Sequence, residues 1–139
     1  MKLITDRTQA DVLLGTEKGR YSVEDLNRVE QAVAELYVIA KGLDISGITQ
    51  IKTDWTHYGA FAPDRWPTQS QMARYLGNIR CLCQAVEIAA DLPRSMEDLT
   101  WDGANRIEAT LLAAYTRVMG ILQTFRYSGE IFAGEENVL

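Results

Sequence analysis

Apolar residues recur at spacings of three and four in three stretches of the chain, which is the period of a helix with one buried face. The inward positions are Leu26, Val29, Val33, Leu36, Tyr37 and Ala40; Met72, Tyr75, Leu76, Ile79, Leu82 or Cys83, Val86 and Ala90; and Ala104, Ile107, Leu111, Ala114, Tyr115, Val118, Ile121, Leu122 and Phe125. These stretches predict three long amphipathic helices, at residues 22–42, 68–92 and 100–126. Such helices need one another for burial, so a bundle is the simplest architecture.

The starts of the predicted helices carry residues that can cap them. In a capping box, two residues three positions apart accept hydrogen bonds from each other's backbone N–H. Three pairs have this spacing: Thr8 with Asp11, Ser22 with Asp25, and Thr68 with Gln71. Thr100, with Asp102 in the first turn, can open the third long helix. The first pair predicts a short helix that ends at Gly15 within an N-terminal segment, residues 1–21, and Gly42 ends the first long helix.

The helical period disappears between Leu43 and Pro67, where glycines, prolines and aromatic residues concentrate. This stretch predicts a long connection with one short strand around Ile48–Ile51. Its large rings are Trp55, Tyr58, Phe61 and Trp66. Rings in a loop either pack as a lid over one end of a bundle or anchor an interface. We expect the lid for the two tryptophans and a partner-contact surface for Tyr58 and Phe61.

The last segment, residues 127–139, carries an apolar pair between two glycines. It predicts a C-terminal arm or a small hairpin, and an arm of this kind becomes ordered when something ties it down. The residues expected to contact a partner there are Tyr127, Glu130, Ile131 and Phe132.

Length and composition agree with one globular domain. The chain has 139 residues, of which 47% are hydrophobic and 24% charged, which is close to the globular average. We therefore expect a single helical domain over residues 1–139. Its class is all-α: a three-long-helix bundle with a short N-terminal helix, a long aromatic-rich connection and a C-terminal arm or small hairpin.

The charge distribution and the lengths of the apolar runs argue against two classes of partner, nucleic acids and membranes. Fourteen Lys and Arg against nineteen Asp and Glu give a net charge of -5, and the basic residues are scattered from Lys2 to Arg126. Nucleic-acid affinity comes largely from concentrated positive charge, so a nucleic acid is not expected as a partner. No apolar run approaches the roughly 20 residues of a membrane span, so no membrane is expected either. The first residues lack the apolar run of a secretory signal, and synthesis in the cytoplasm is the expectation.

The residues that usually carry chemistry are few. His57 is the single histidine and lies in the predicted connection, without a designated partner. Cys81 and Cys83 are two apart in a predicted helix, which turns their side chains roughly 200° from each other. One of them, Cys83, fits a small buried core residue. The acid pairs fall in first helical turns, where acids are favoured by the helix dipole. We expect no catalytic residue, no metal site and no cofactor, and hence no enzyme.

Two Asn-Arg pairs stand beside inward helix positions. They are Asn27 with Arg28 in the first long helix and Asn105 with Arg106 in the third. Because buried backbone groups require hydrogen-bond partners, these side chains are expected to satisfy backbone groups of the long connection or of the C-terminal arm.

Six stretches together resemble a known family. They are DRTQADV at 6–12, YSVEDLNRVEQAV at 21–33, KTDWT at 52–56, PTQSQMARYL at 67–76, LTWDGANRIE at 99–108 and RYSGEIFAGE at 126–135. In this order they resemble small structural proteins from the tail gene region of phages and prophages of Gram-positive bacteria. The resemblance spans nearly the whole chain and implies a tail or baseplate part without catalytic residues.

The resemblance implies a function that rests on assembly contacts. The expected partners are other phage tail or baseplate proteins, or a second copy of the chain, and the expected location is the virion. A rival interpretation from another class is a small acidic phage effector that binds and inhibits a host protein.

Overall fold

All regular structure in the described part of the chain is helical. The computed structural model describes residues 3–53, 58–59 and 67–138, and from residue 125 onward it describes the helical backbone alone. The elements are α1 (Gln9–Leu14), α2 (Val23–Gly42), α3 (Gln69–Ala85) and α4 (Trp101–Val138). Each of the three long helices contacts the other two. The predicted all-α, bundle-like fold is confirmed.

The core lies between the three long helices and is built from the predicted stripes. Its largest fully buried side chains include Leu26 and Leu36 of α2, Tyr75, Leu76, Ile79 and Leu82 of α3, and Ile107 and Leu111 of α4. Burying each such side chain favours folding by roughly 1.5–3 kcal/mol. The stripe therefore determines which face of each helix turns inward.

The predicted helix starts are confirmed by their hydrogen bonds. The Asp25 carboxylate accepts from the backbone N–H of Ser22 at 2.7 Å. In α3 the bonds are reciprocal: Thr68 N–H donates to Gln71 Oε1 at 2.8 Å, and Gln71 N–H donates to Thr68 Oγ1 at 3.3 Å. Thr100 Oγ1 caps α4 by accepting from the third residue of that helix. These bonds satisfy backbone donors that the helix itself leaves unpaired.

Helix α3 is shorter than predicted, because it ends at Ala85 rather than near residue 92. Glu87 adopts a left-handed conformation with φ 61°. Its N–H donates to Gln84 O, and the N–H of Ile88 donates to Cys83 O at 3.0 Å. This is the Schellman ending that usually has glycine at the left-handed position. A glutamate there gives no sequence signal, which explains the error in the predicted boundary.

Helix α4 is longer than predicted and continues to Val138, where an arm or small hairpin was expected from residue 127. That prediction rested on the apolar pair Ile131–Phe132 between Gly129 and Gly134. Glycine keeps its backbone N–H and costs a helix only about 1 kcal/mol relative to alanine, whereas proline breaks the hydrogen-bond ladder. The residues of α4 include no proline, so nothing in them forces the helix to stop.

The predicted strand at Ile48–Ile51 is a turn. The N–H of Ile51 donates to the carbonyl of Ile48 at 3.0 Å, and residues 48–51 contain no strand. Both isoleucines are buried in the core, at 4% and 5% exposure. A turn that brings both side chains to the same side satisfies burial better than a strand, in which residues three apart face opposite sides.

Candidate functional site

A four-residue pattern occurs twice among the long helices, as Asn-Arg-Val-Glu at 27–30 in α2 and as Asn-Arg-Ile-Glu at 105–108 in α4. The first and fourth residues lie one helical turn apart, so their side chains share a face. In both places the asparagine amide binds the backbone of one residue from a non-helical segment, and the glutamate binds the side chain of that same residue. We call these two sites the α2 receptor and the α4 receptor.

The α4 receptor holds Arg7 of the N-terminal segment. Asn105 Oδ1 accepts from Arg7 N–H at 3.0 Å, and Asn105 Nδ2 donates to the Arg7 carbonyl at 2.8 Å. The Arg7 guanidinium donates to Glu108 Oε2 at 2.6 Å. It also donates to the carbonyl of Ile4 at 3.0 Å and to that of Lys18 at 3.1 Å. One arginine thus ties down the chain on both sides of α1.

The charges around Arg7 are buried and balanced. Glu108 is fully buried, and the Arg7 side chain is 2% exposed. A second arginine, Arg28, donates to Glu108 Oε2 at 2.9 Å and to Asp25 Oδ1 at 2.7 Å. Two arginines therefore face two carboxylates. A buried charge that loses its partner destabilises a protein strongly, so this cluster fixes the N-terminal segment in one position.

Helix α1, which follows Arg7, is fixed at its ends but buries none of its own residues. At its start Thr8 and Asp11 form the predicted capping box, and the hydrogen bonds from Thr8 lower the pKa of Asp11. At its end Gly15 is left-handed with φ 66°, as predicted. Gly19 packs so closely on the Asp11 carbonyl that a Cβ there would overlap it. The helix is therefore held by backbone contacts and caps.

The side chains that α1 presents to solvent are apolar. Val12 is 45% exposed, and Leu13 and Leu14 are each 79% exposed. Elsewhere in the described part of the chain, large exposed apolar side chains occur singly, at Val38 and Leu112. Consecutive residues of a helix lie about 100° apart around its axis, so Leu13 and Leu14 make two neighbouring sides of the last turn of α1 apolar. Large exposed apolar areas often mark interaction sites, and among the described residues exposed apolar side chains are most concentrated at this end of α1.

The α2 receptor holds Tyr58 of the long connection. Asn27 Oδ1 accepts from Tyr58 N–H at 2.8 Å, Asn27 Nδ2 donates to the Tyr58 carbonyl at 3.0 Å, and the Tyr58 hydroxyl donates to Glu30 at 3.1 Å. The predicted role of Asn27 towards the connection is confirmed. Asn105, by contrast, binds the N-terminal segment.

Tyr58 does not lie on an accessible contact surface, which corrects its predicted role. It is 8% exposed, and burial together with the neighbouring Glu30 raises the pKa of its hydroxyl to about 12. Tyr58 is buried because its hydroxyl donates to Glu30, a buried carboxylate of α2. The sequence around Tyr58 does not reveal this partner.

Among the described residues, Glu30 has fewer compensating contacts than Glu108. It is 2% exposed, and within that part of the chain its ion pair is with Arg74, at 3.3 Å. Burial raises the pKa of Glu30, and the opposing effect of Arg74 is smaller. The two receptors thus share a design but differ in how well their carboxylates are neutralised.

The other predicted contact residues are not described at the level of their side chains. Phe61 lies outside the described residues, as do Trp55, His57 and Trp66. The remaining four belong to helix α4, but their side chains lie outside the described part: Tyr127, Glu130, Ile131 and Phe132. Their predicted contacts stay predictions.

Cys83 is a core residue, as predicted, with no exposed surface. Burial raises its pKa to about 11 and also raises the pKa of the partly buried Cys81. The thiol of Cys81 donates to the carbonyl of Gly47 at 3.1 Å. Both thiols are thus kept protonated at neutral pH, and a protonated thiol is a poor nucleophile.

The described residues contain neither a candidate metal site nor a membrane-spanning helix. Within residues 3–53, 58–59 and 67–138, no group of three or more His, Cys, Asp and Glu side chains could hold a metal ion. In the same ranges no helix is long and apolar enough to cross a membrane. In comparisons with known proteins, no family model, no curated protein and no solved structure matches the chain.

Proposed function

We propose that this protein is a non-enzymatic assembly protein that binds a neighbouring protein through α1. The observation that carries the proposal is the pair Leu13 and Leu14, each 79% exposed on a helix with both ends fixed. Covering a leucine side chain is worth roughly 1.5–3 kcal/mol. Leu13 and Leu14, about 100° apart around the helix axis, can therefore anchor a small interface.

The anchoring of α1 supports a role in binding over a role in folding. Arg7 holds the chain before and after the helix through Ile4 and Lys18, so the leucines keep their position without a partner. A surface ordered in advance binds more tightly, because less conformational entropy is lost on association. Helix α1 contributes no buried residue to its own domain, which leaves Leu13 and Leu14 free for another chain.

The setting of this contact comes from the family resemblance. The six stretches that resemble phage tail-region proteins make a tail or baseplate the proposed location. In that setting the chain is made in the bacterial cytoplasm and is incorporated into the virion. Its neighbour is another tail or baseplate protein, or a second copy of the chain.

The experiment compares particles that carry wild-type protein with particles that carry Leu13→Gln together with Leu14→Gln. Glutamine and leucine have similar helix propensities, so α1 should persist, and the free energy of unfolding should change by less than about 0.5 kcal/mol. Incorporation into purified particles, measured by quantitative mass spectrometry, should fall at least tenfold.

The matched control is Val38→Gln, which replaces a side chain that is 68% exposed on α2. It should leave both stability and incorporation unchanged. Normal incorporation of the double variant would show that α1 is not the contact. Absence of the wild-type protein from particles, combined with capture of a host protein, would favour the effector interpretation and overturn the virion proposal.

A further inference from the structure

A cavity of about 300 Å³ lies between α3 and the segment that leads to α4. One wall is a single face of α3, formed by residues three or four apart, and the other wall is residues 94–97. Three of its lining side chains are apolar and nearly inaccessible: Met72 and Met96 at 6% exposure, and Leu76 at 2%. Methionine side chains are flexible and polarisable, which suits them to adapt to an apolar guest.

The rim of the cavity carries two arginines, Arg80 and Arg94, both exposed. Arg94 makes no hydrogen bond or ion pair with any residue that the structure describes, and Arg80 makes one long hydrogen bond, to the Pro93 carbonyl at 3.4 Å. The one acid of the lining, Glu97, accepts a hydrogen bond from Gln69. In a chain of net charge -5, this rim is a local positive site.

The size of the cavity limits its guest. An apolar cavity of about 150 Å³ accommodates benzene, so twice that volume holds on the order of 12 non-hydrogen atoms. An apolar wall with a few polar groups at one side is the usual form of a small-molecule site. The guest that matches these walls has an unbranched apolar part and one anionic end.

We propose that this cavity binds a medium-chain carboxylate of eight to ten carbons, with the chain against Met72, Leu76 and Met96 and the carboxylate at Arg94 and Arg80. A guanidinium can give a carboxylate two parallel hydrogen bonds, which fixes the orientation of the guest. This site is separate from α1, and its binding does not depend on the proposed assembly role.

Methionine methyl groups provide a direct test. Two of the four methionines line the cavity, and Met119 of α4 does not. In the full chain with 13C-labelled methionine methyls, titration with decanoate at concentrations below its self-association should shift the Met72 and Met96 signals and leave Met119 in place. A 15.6 kDa chain is well suited to this measurement.

One ligand comparison and three variants complete the test. Decanol, which lacks the charge, should bind at least tenfold more weakly than decanoate. Arg94→Gln should weaken decanoate binding about tenfold, the size expected for a charge-assisted hydrogen bond. Ala73→Phe, which adds a ring to the cavity wall, should abolish the shifts, and Lys41→Gln, an exposed cation of α2, should change nothing.

Three results would overturn the proposal. The first is no shift of the Met72 and Met96 signals on addition of decanoate. The second is equal affinity for decanol and decanoate, which would mean that the arginines do not select an anion. The third is unchanged binding in Ala73→Phe, which would place the guest outside the cavity.

Discussion

The α2 and α4 receptors have the same residue pattern, but they bind different residues of the chain and differ in the charges around their carboxylates. Asn105 and Glu108 hold Arg7, a cation, whereas Asn27 and Glu30 hold Tyr58, a neutral phenol. Each asparagine makes two hydrogen bonds to one backbone unit, which imitates the pairing of adjacent strands. The asparagine therefore binds a backbone unit in both sites. The side chain of the bound residue decides how the charge of the glutamate is balanced.

The charge balance determines what each receptor contributes to stability. Glu108 accepts hydrogen bonds from two guanidinium groups and from the backbone N–H of Ile4. Glu30 accepts hydrogen bonds, among the residues that the structure describes, from one guanidinium, that of Arg74, and from the Tyr58 hydroxyl. A buried carboxylate needs its charge compensated and its lone pairs satisfied. Glu108 and Glu30 are thus almost equally buried, but we expect them to contribute differently to stability.

We expect the largest loss of stability from Glu108→Gln. It leaves Arg7 and Arg28 with Asp25 as their remaining carboxylate. Breaking a buried ion pair costs about 3–5 kcal/mol, so the midpoint of urea unfolding, followed by circular dichroism, should fall sharply. The control is Asp91→Asn, which removes an exposed partner of Arg106 and should cost less than about 1 kcal/mol. Equal effects of the two variants would contradict the assigned role of the buried cluster.

A second variant, Asn105→Ala, tests backbone recognition alone. It removes two hydrogen bonds to Arg7 and should lower the free energy of unfolding by about 1–3 kcal/mol. Hydrogen exchange at the Arg7 amide should accelerate, because that N–H loses its acceptor. Asn27→Ala should have an effect of the same size, with the change appearing at Tyr58. The comparison fails if neither amide exchanges faster.

We expect the smallest change in the free energy of unfolding from Glu30→Gln. Its sign should be opposite to that of the other variants, a gain and not a loss. Because burial raises the pKa of Glu30 in the folded state above the ordinary value of a glutamate, the folded chain binds this proton more tightly than the unfolded chain does. The stability that Glu30 contributes is therefore fully present below about pH 4.5 and is lost as the pH rises through the raised pKa. Glutamine mimics the protonated form at every pH.

The measurement for Glu30→Gln is the free energy of unfolding at pH 4 and at pH 7. The variant should match the wild type at pH 4 and be at least as stable at pH 7. A loss at pH 7 as large as that of Glu108→Gln would show that the two receptors compensate their carboxylates equally well.

Three features of the structure could not be predicted from the sequence, each for a different physical reason. Tyr58 was expected on a contact surface because large rings in loops often are, and its burial depends on Glu30, 28 residues away in the chain. The end of α3 was placed too late because Glu87 adopts a conformation that usually belongs to glycine. The exposed leucines of α1 carried no signal, because apolar residues in a short helix are normally expected to face a core.

The repeated four-residue pattern could have located the two receptors in the sequence. It does not indicate which residues they bind. Residues 27–30 and 105–108 differ at one position, Val against Ile, and that match indicates two similar sites. It does not indicate that one receives Arg7 and the other Tyr58, because both residues come from segments without helical periodicity.

The helices and their inward faces can be predicted from local sequence patterns. Capping bonds join residues three positions apart, and the apolar stripe repeats within one helix, so both depend on contacts close along the chain. Only the tertiary structure decided what the polar residues on those helices bind. The bond between Asn105 and Arg7 joins residues 98 positions apart. Such contacts depend on how the packed helices and the connecting segments meet, and no local pattern records that.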